Sequence, residues 1–335
     1  MAENMDGVNC LTPDDLKSFE RDGFLVLASV LSPESISELL DLLHKEAANA
    51  GSSIDPTAAN GAWDAARSGA DSNGCVFSFA RDASGTATLP LKVHKAQGVA
   101  LRVPRVLDIP RHPKVASAAA ALARQERSQC QVSVRCAGKE LDVFGTKYFP
   151  VDASSPGSVS WHDDNYYFGT TRSHTISCVC YLRDVDKANG CLRVVPGSHR
   201  DSTVGFDRSA HYTTCMEQHG EYIPEEVIVR GPLSHDDNGQ SRSPQDVAVP
   251  AGSVVLFDAN LLHAVWPNTS SGPSERVACH FIPGDLDTSF RDTSFARGSF
   301  ADRHLIVCAD GTVHQEEPHP STSEAAAKRR KVESE

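Results

Sequence analysis

QDVAVPAGSVVLFDANLLHAVW runs from Gln245 to Trp266. Val247 and Val249 belong to one short apolar run, and Val254 to Phe257 form a second. Pro250 to Gly252 separates the two, and Asp258 to Asn260 closes the second. Apolar β-branched runs bounded by Pro, Gly, Asp and Asn read as strands joined by tight turns. The stretch then delivers a histidine, His263, into the next run.

The same rhythm extends outward on both sides. From residue 130 on, QCQVSVRC (in part), VFGTKYF, HTISCVCYL, CLRVVPG and RVACHFIPG repeat short apolar runs between turn residues. Many short strands with such punctuation predict an antiparallel β-barrel or sandwich. The front of the chain is different. Thr12 is a good N-cap, Pro13 suits a first helical turn and Gly23 suits a helix stop. FLVLASV (Phe24 to Val30) then reads as a short strand. Ser32 and Pro33 repeat the start signal, and Ile36, Leu39, Leu40 and Leu43 lie on one face of a second helix. His44 is expected near the end of that helix, as an ordinary solvated or cationic imidazole. Residues 49–90 read as long loops with at most short strands. An Ala-rich helix is expected over residues 113–125. The helical front is expected to pack against one sheet. The fold class is therefore mainly β with added helices. Residues 1–10 are expected to be a flexible N-terminus, residues 11–315 one domain, and residues 316–335 a disordered polar tail.

Composition bounds the function. The chain has 335 residues, 40% hydrophobic and 23% charged, a globular balance with material for a full core. No apolar run is long enough for a membrane helix, and the acidic N-terminus lacks the apolar segment of a secretion signal. Thirty-two basic against forty-four acidic side chains give a net charge of -12, which disfavours nucleic acid and anionic membranes as partners. A small-molecule partner and a monomer are the default expectations. Ten cysteines without CxxC read as reduced thiols in the cytoplasm, with Cys178 and Cys180 on one core-facing side of a strand. The cluster Lys328, Arg329, Arg330 and Lys331 is of the nuclear-import kind, so the nucleus stands as a second location.

The chemistry concentrates in VSWHDDNYYFG, Val159 to Gly169. His162 and Asp164 are two apart, so on a strand both point to one side. His263 follows about a hundred residues later, on a strand that could face the first across a barrel. Two histidines and one carboxylate that leave open coordination positions form the facial set of non-heme Fe(II) oxygenases. Arg276 enters the apolar run SERVACHF, and its planar fork suits a carboxylate ligand.

Four stretches together resemble the phytanoyl-CoA dioxygenase family of Fe(II)/2-oxoglutarate oxygenases. They are FERDGFLVLASVLSPESISEL, WHDDNYYF, NGCLRVVPGSHR (Asn189 to Arg200), and PAGSVVLFDANLLHAVWPNTS followed by ERVACHF. The resemblance implies a double-stranded β-helix, the jelly-roll or cupin-like fold. It implies His162, Asp164 and His263 as iron ligands, Fe(II) as cofactor, and 2-oxoglutarate and O2 as cosubstrates. Arg276 would take the distal carboxylate of 2-oxoglutarate. Lys147 and Tyr148 correspond to positions that line the cosubstrate or substrate pocket. Family members often carry a hydroxyl residue two after the distal histidine; here that position is Val265. A carboxylate at position 164, where related halogenases have a small residue, implies hydroxylation or a similar oxidation and not halogenation.

Other residues receive plainer expectations. His199 is expected to be structural, His280 to stand behind the ligands or in the core, and Asp163 to be a solvated or salt-bridged acid. Tyr166, Tyr167 and Phe168 are expected as pocket walls or core, and Trp161 and Trp266 either way. The leading function is an Fe(II)/2-oxoglutarate-dependent dioxygenase that hydroxylates a small organic molecule. The alternatives are a nuclear oxygenase acting on protein or nucleic acid, and a catalytically silent cupin-like metal-binding protein.

Overall fold

The computed structural model describes residues 11–53, 75–79, 92–124, 140–151, 158–165, 175–200, 223, 225–230, 234–236, 238–284, 302–308 and 312–314. The flexible N-terminus, the run QCQVSVRC, the aromatics Tyr166 to Phe168 and the basic tail cluster, all named above, lie outside these residues.

Helix α1 spans Pro13–Asp22 and α2 spans Pro33–Ser53. The Thr12 side chain accepts from the Asp15 N–H while the Asp15 carboxylate accepts from the Thr12 N–H, a reciprocal cap that satisfies two donors at the start of α1. Gly23 ends α1 in the left-handed region, at φ 84°. A side chain there would collide with the His199 ring, which packs against this turn. Ile36, Leu39, Leu40 and Leu43 of α2 are all buried, as their spacing requires. The helix continues past His44 to Ser53, so His44 is a mid-helix residue and not a terminal one. The short α3 (Asp108–Arg111) leads into α4 (Pro113–Arg124), whose alanines close against the same core.

The strands form two antiparallel sheets. They are β1 Phe24–Leu27, β2 Val76–Phe79, β3 Val93–Gln97, β4 Leu141–Val151, β5 Val159–His162, β6 Ile176–Tyr181, β7 Leu192–Val194, β8 Gln245–Val247, β9 Val254–Asp258, β10 His263–Val265, β11 Ser274–Pro283 and β12 Arg303–Val307. The larger sheet has the order β1-β9-β6-β11-β4-β3-β2, with β12 also on β4; the smaller is β5-β10-β7-β8. Neighbours distant in sequence and two facing sheets are the jelly-roll pattern.

Strand alternation splits the larger sheet into two faces. Cys178, Cys180, Leu256, Val277, Cys279 and Tyr148 face the helices in one core. Val179, Tyr181, Val255, Phe257 and Ala278 face the smaller sheet, whose Leu192, Val194 and Val265 meet them in a second core. The helical front thus covers one face, and the other is the inside of the roll. The Pro250–Ser253 turn is fixed by Gly252 at φ 79°, where any Cβ would stand 2.5 Å from the Leu31 carbonyl oxygen. Among the described residues no helix is long and apolar enough to cross a membrane.

Candidate active site

β5 and β10 pair antiparallel, and His162 lies directly opposite His263. Their rings are 4.2 Å apart between centroids, and the Phe257 ring closes on His263 from the larger sheet. Asp164 follows β5 by two residues and returns to the same point. Its carboxylate oxygens lie 3.7 Å from His162 Nε2 and 3.9 Å from His263 Nε2. One ligand atom from each of the three falls within 4.8 Å of the others, and all three residues are buried. The sequence pattern therefore converges in space.

The outer contacts orient these groups for a metal. His162 Nδ1 donates to the Ser160 carbonyl at 2.8 Å, and His263 Nδ1 donates to the Leu261 carbonyl at 2.9 Å. Both rings thereby present Nε2 inward in one tautomer. Burial first, then the facing His162, pushes His263 down to about 4, so its imidazole is neutral and ready to ligate at neutral pH. Burial works against the Asp164 carboxylate, but His263, His280 and His162 around it outweigh that and hold it well below the usual range.

Behind Asp164 runs a chain of hydrogen bonds. Lys147 Nζ donates to His280 Nε2 at 3.0 Å, His280 Nδ1 donates to Ser177 Oγ at 3.1 Å, and Ser177 Oγ donates to Asp164 Oδ2 at 2.6 Å. Burial, then Lys147, pushes His280 down to about 3, in keeping with a neutral ring that accepts on one side and donates on the other. His280 is thus the supporting residue it was expected to be. Ser177 fixes the carboxylate that faces the two histidines. Ser177→Ala is expected to weaken Fe(II) binding about 10- to 100-fold with the fold intact. Metal titration of the purified variant checks this, and unchanged affinity would contradict it.

A group of basic side chains lies along the same inner face. Arg276 on β11 is buried, at 4% exposure, beside Phe149, with its guanidinium 4.5 Å from the ring centre. Burial lowers its affinity for its proton, and no carboxylate among the described residues offsets that. Lys95 on β3 also lies over the Phe149 ring, with Nζ 6.0 Å from its centre. Lys95 is buried and Lys147 half-buried, and burial depresses the pKa of both, Lys95 to about 7. Such a cation-lined pocket suits an anionic ligand.

The depressed Lys95 makes stability depend on pH. The unfolded lysine titrates at 10.5 and the folded one near 7. Between these values the unfolded chain holds a proton that the folded chain has released, so stability rises with pH across that window. Below pH 7 both forms are charged and the burial penalty is complete. Lys95→Met should therefore raise the unfolding midpoint of the ligand-free protein more at pH 6.5 than at pH 10. Thermal melts at the two values check it; an equal shift at both would contradict it.

Several expectations are corrected. Tyr148 does not face the pocket. Its neighbour Lys147 does, and alternation sends Tyr148 to the helix side, where its hydroxyl donates to Glu275 at 2.7 Å. Glu275 also pairs with His44 and Arg183, and the His44 side chain stays half exposed, in keeping with a solvated imidazole. Asp163 is buried, at 6% exposure, so of its two expected roles the solvated one is set aside. His199 bonds to the Glu20 carbonyl, a structural role as expected. Trp161 and Trp266 point outward from the smaller sheet and hold Arg193 between their rings, with carboxylates of Glu225 and Asp246 on their indole N–H groups. Glu225 opens the short helix α5, Glu225–Val229. Lys95, Ser177 and Tyr181 were missed. For Ser177 and Tyr181 the signal was present: in ISCVCY they sit on the face opposite the cysteines.

Comparison with known proteins agrees with this geometry. Residues 19–277 match the family described as Phytanoyl-CoA dioxygenase (PhyH). An ectoine dioxygenase of Bordetella parapertussis is 26% identical over 275 residues, covering 80% of this chain and 74% of the relative. The crystal structure of the non-heme alpha-ketoglutarate-dependent carbocyclase SnoK from nogalamycin biosynthesis is similar, with TM-score 0.56, 16% identity, and 88% and 90% of the two chains covered. EctD from S. alaskensis, solved with 2-oxoglutarate and 5-hydroxyectoine, has TM-score 0.53 and 18% identity, covering 84% of this chain and 78% of its own. At these identities the two structures bear on the fold alone, and the fold is theirs.

Proposed function

The chain belongs to the phytanoyl-CoA dioxygenase family, and on that premise we propose that it hydroxylates, or similarly oxidises, a small organic molecule. It is a dioxygenase that uses Fe(II) and 2-oxoglutarate, in keeping with its family and its relatives. His162, Asp164 and His263 hold the iron, and Arg276 takes the distal carboxylate of 2-oxoglutarate. When bound, the iron supplies the oxygen chemistry, with conversion of 2-oxoglutarate and O2 to succinate and CO2.

The chain's own residues do the rest. The two imidazoles and one carboxylate are a mixed nitrogen and oxygen set that fits Fe(II) and leaves coordination positions free. Ser177, His280 and the backbone carbonyls hold those ligands in place. Phe149 and Phe257 keep the surroundings apolar and limit water. Lys147 contributes positive charge on the cosubstrate side, next to His280.

The observation that carries the reading is that two groupings share one inner face: three ligand atoms that converge, and a buried arginine with no carboxylate beside it among the described residues. A silent binding protein would be expected to have lost one of these four residues. A nuclear oxygenase has only the tail cluster to support it, against an acidic body. The name of the ectoine dioxygenase relative points to a small-molecule substrate as well.

The test is turnover. With Fe(II), O2 and 2-oxoglutarate, the protein should form succinate in a metal-dependent way, and one small molecule of a metabolite panel should speed it. Succinate at the metal-free background under every condition would sink the reading.

A further inference from the structure

We propose that the Tyr181 hydroxyl binds the distal carboxylate of 2-oxoglutarate beside Arg276, in place of the hydroxyl that the family resemblance leads one to expect where this chain has Val265. The inference rests on the function proposed above and adds a residue to its cosubstrate site.

β6 and β11 pair in a register that sets Tyr181 directly across from Arg276. Both belong to the inner face, where Tyr181 has no exposed surface at all. Its hydroxyl is buried and makes no hydrogen bond among the described residues. The backbone N–H of Leu192 lies beside the phenol oxygen, outside hydrogen-bond geometry. That group is itself a donor and could never accept the phenol proton. Burial pushes the phenol up to about 12, against the pull of Arg276, so the hydroxyl keeps its proton at any working pH.

Two buried donors without acceptors therefore sit side by side: a guanidinium and a phenol. A buried unsatisfied hydroxyl is costly, and nearly all such groups in folded proteins find partners. One ligand group completes both, an anion with two acceptor oxygens, and a carboxylate is the planar form the arginine fork prefers.

The position also matches the missing group. Leu192, next to the phenol oxygen, is the register partner of Val265 on β10. The tyrosine thus reaches across the roll from the larger sheet to the strand pair where a Ser or Thr at 265 would project. Val265 offers only methyl groups there. The longer side chain from the opposite sheet replaces the shorter one.

Anaerobic titration of the Fe(II)-loaded protein, followed by the visible charge-transfer band, tests this without turnover. Two keto acids are used: 2-oxoglutarate, and 2-oxobutyrate, which lacks the distal carboxylate. Tyr181→Phe should weaken 2-oxoglutarate about 10-fold, the scale of a hydrogen bond to a charged group. It should leave iron binding and 2-oxobutyrate affinity unchanged. Adding Val265→Ser to that variant should restore most of the loss. Wild-type affinity for 2-oxoglutarate in Tyr181→Phe would overturn the proposal. So would equal weakening of both acids, which would mean that the ring only shapes the pocket. If the wild type itself gave no band, the underlying cosubstrate reading would fall, a result distinct from either of those.

Discussion

Asp164→Asn should abolish metal-dependent turnover while the protein stays folded. The substitution keeps the shape of the side chain and removes only its charge. The amide oxygen can still accept from Ser177, so the network behind the ligand survives in outline. The two histidines remain, oriented by their backbone carbonyls. What disappears is the single anionic ligand in a buried site where charge is poorly screened. A loss of about 4 kcal/mol in metal-dependent catalysis corresponds to about three orders of magnitude in rate. The ligand-free variant should unfold within a few degrees of the wild type, because the change removes a buried charge without leaving a cavity. Metal content, succinate formation and a thermal melt on one preparation check all three parts. Turnover within tenfold of the wild type would remove Asp164 from the ligand set.

Arg276→Met should move binding and stability in opposite directions. Arg276 is a buried cation lacking an anion among the described residues, held against Phe149. In the empty protein such a group is a burden, and a well-packed methionine relieves it by about 1–3 kcal/mol. With 2-oxoglutarate present the arginine becomes half of a desolvated ion pair. Removing one partner of such a pair costs about 2–5 kcal/mol, which is about 30- to several-thousand-fold in affinity. The variant should melt later than the wild type when both are empty, and gain far less from added 2-oxoglutarate. Arg276→Lys should not rescue binding, since an ammonium lacks the two-pronged fork. Melting curves with and without cosubstrate separate the terms. A variant less stable when empty yet unaltered in cosubstrate binding would show that Arg276 serves packing alone.

Much of this was legible in the sequence because two periodicities are strict. A spacing of two on a strand puts His162 and Asp164 together, and the turn-strand-turn rhythm around Gly252 puts His263 at the start of the opposing strand. The spacing of Ile36, Leu39, Leu40 and Leu43 similarly sets the buried face of α2. Choices between adjacent residues were harder. Lys147 and Tyr148 cannot both face the pocket, but which one does depends on register, and β4 is shifted against β11 near Gly145 and Thr146. Groups that act across the roll were harder still. Lys95 reaches the site through pairing of β3 with β4, which no local pattern encodes, and the strand ISCVCY shows the face of Tyr181 but not its cross-strand partner Arg276. His44 was misplaced because its helix extends about three turns further than the apolar stripe shows.

The most direct measurement is the visible spectrum of metal-free protein given one equivalent of Fe(II) without oxygen and then 2-oxoglutarate, beside His162→Ala. The account predicts a new charge-transfer band in the wild type that is absent in the variant, because a keto acid can chelate only an iron held by His162, Asp164 and His263. A wild type that binds one metal per chain and shows no band on adding 2-oxoglutarate would contradict it.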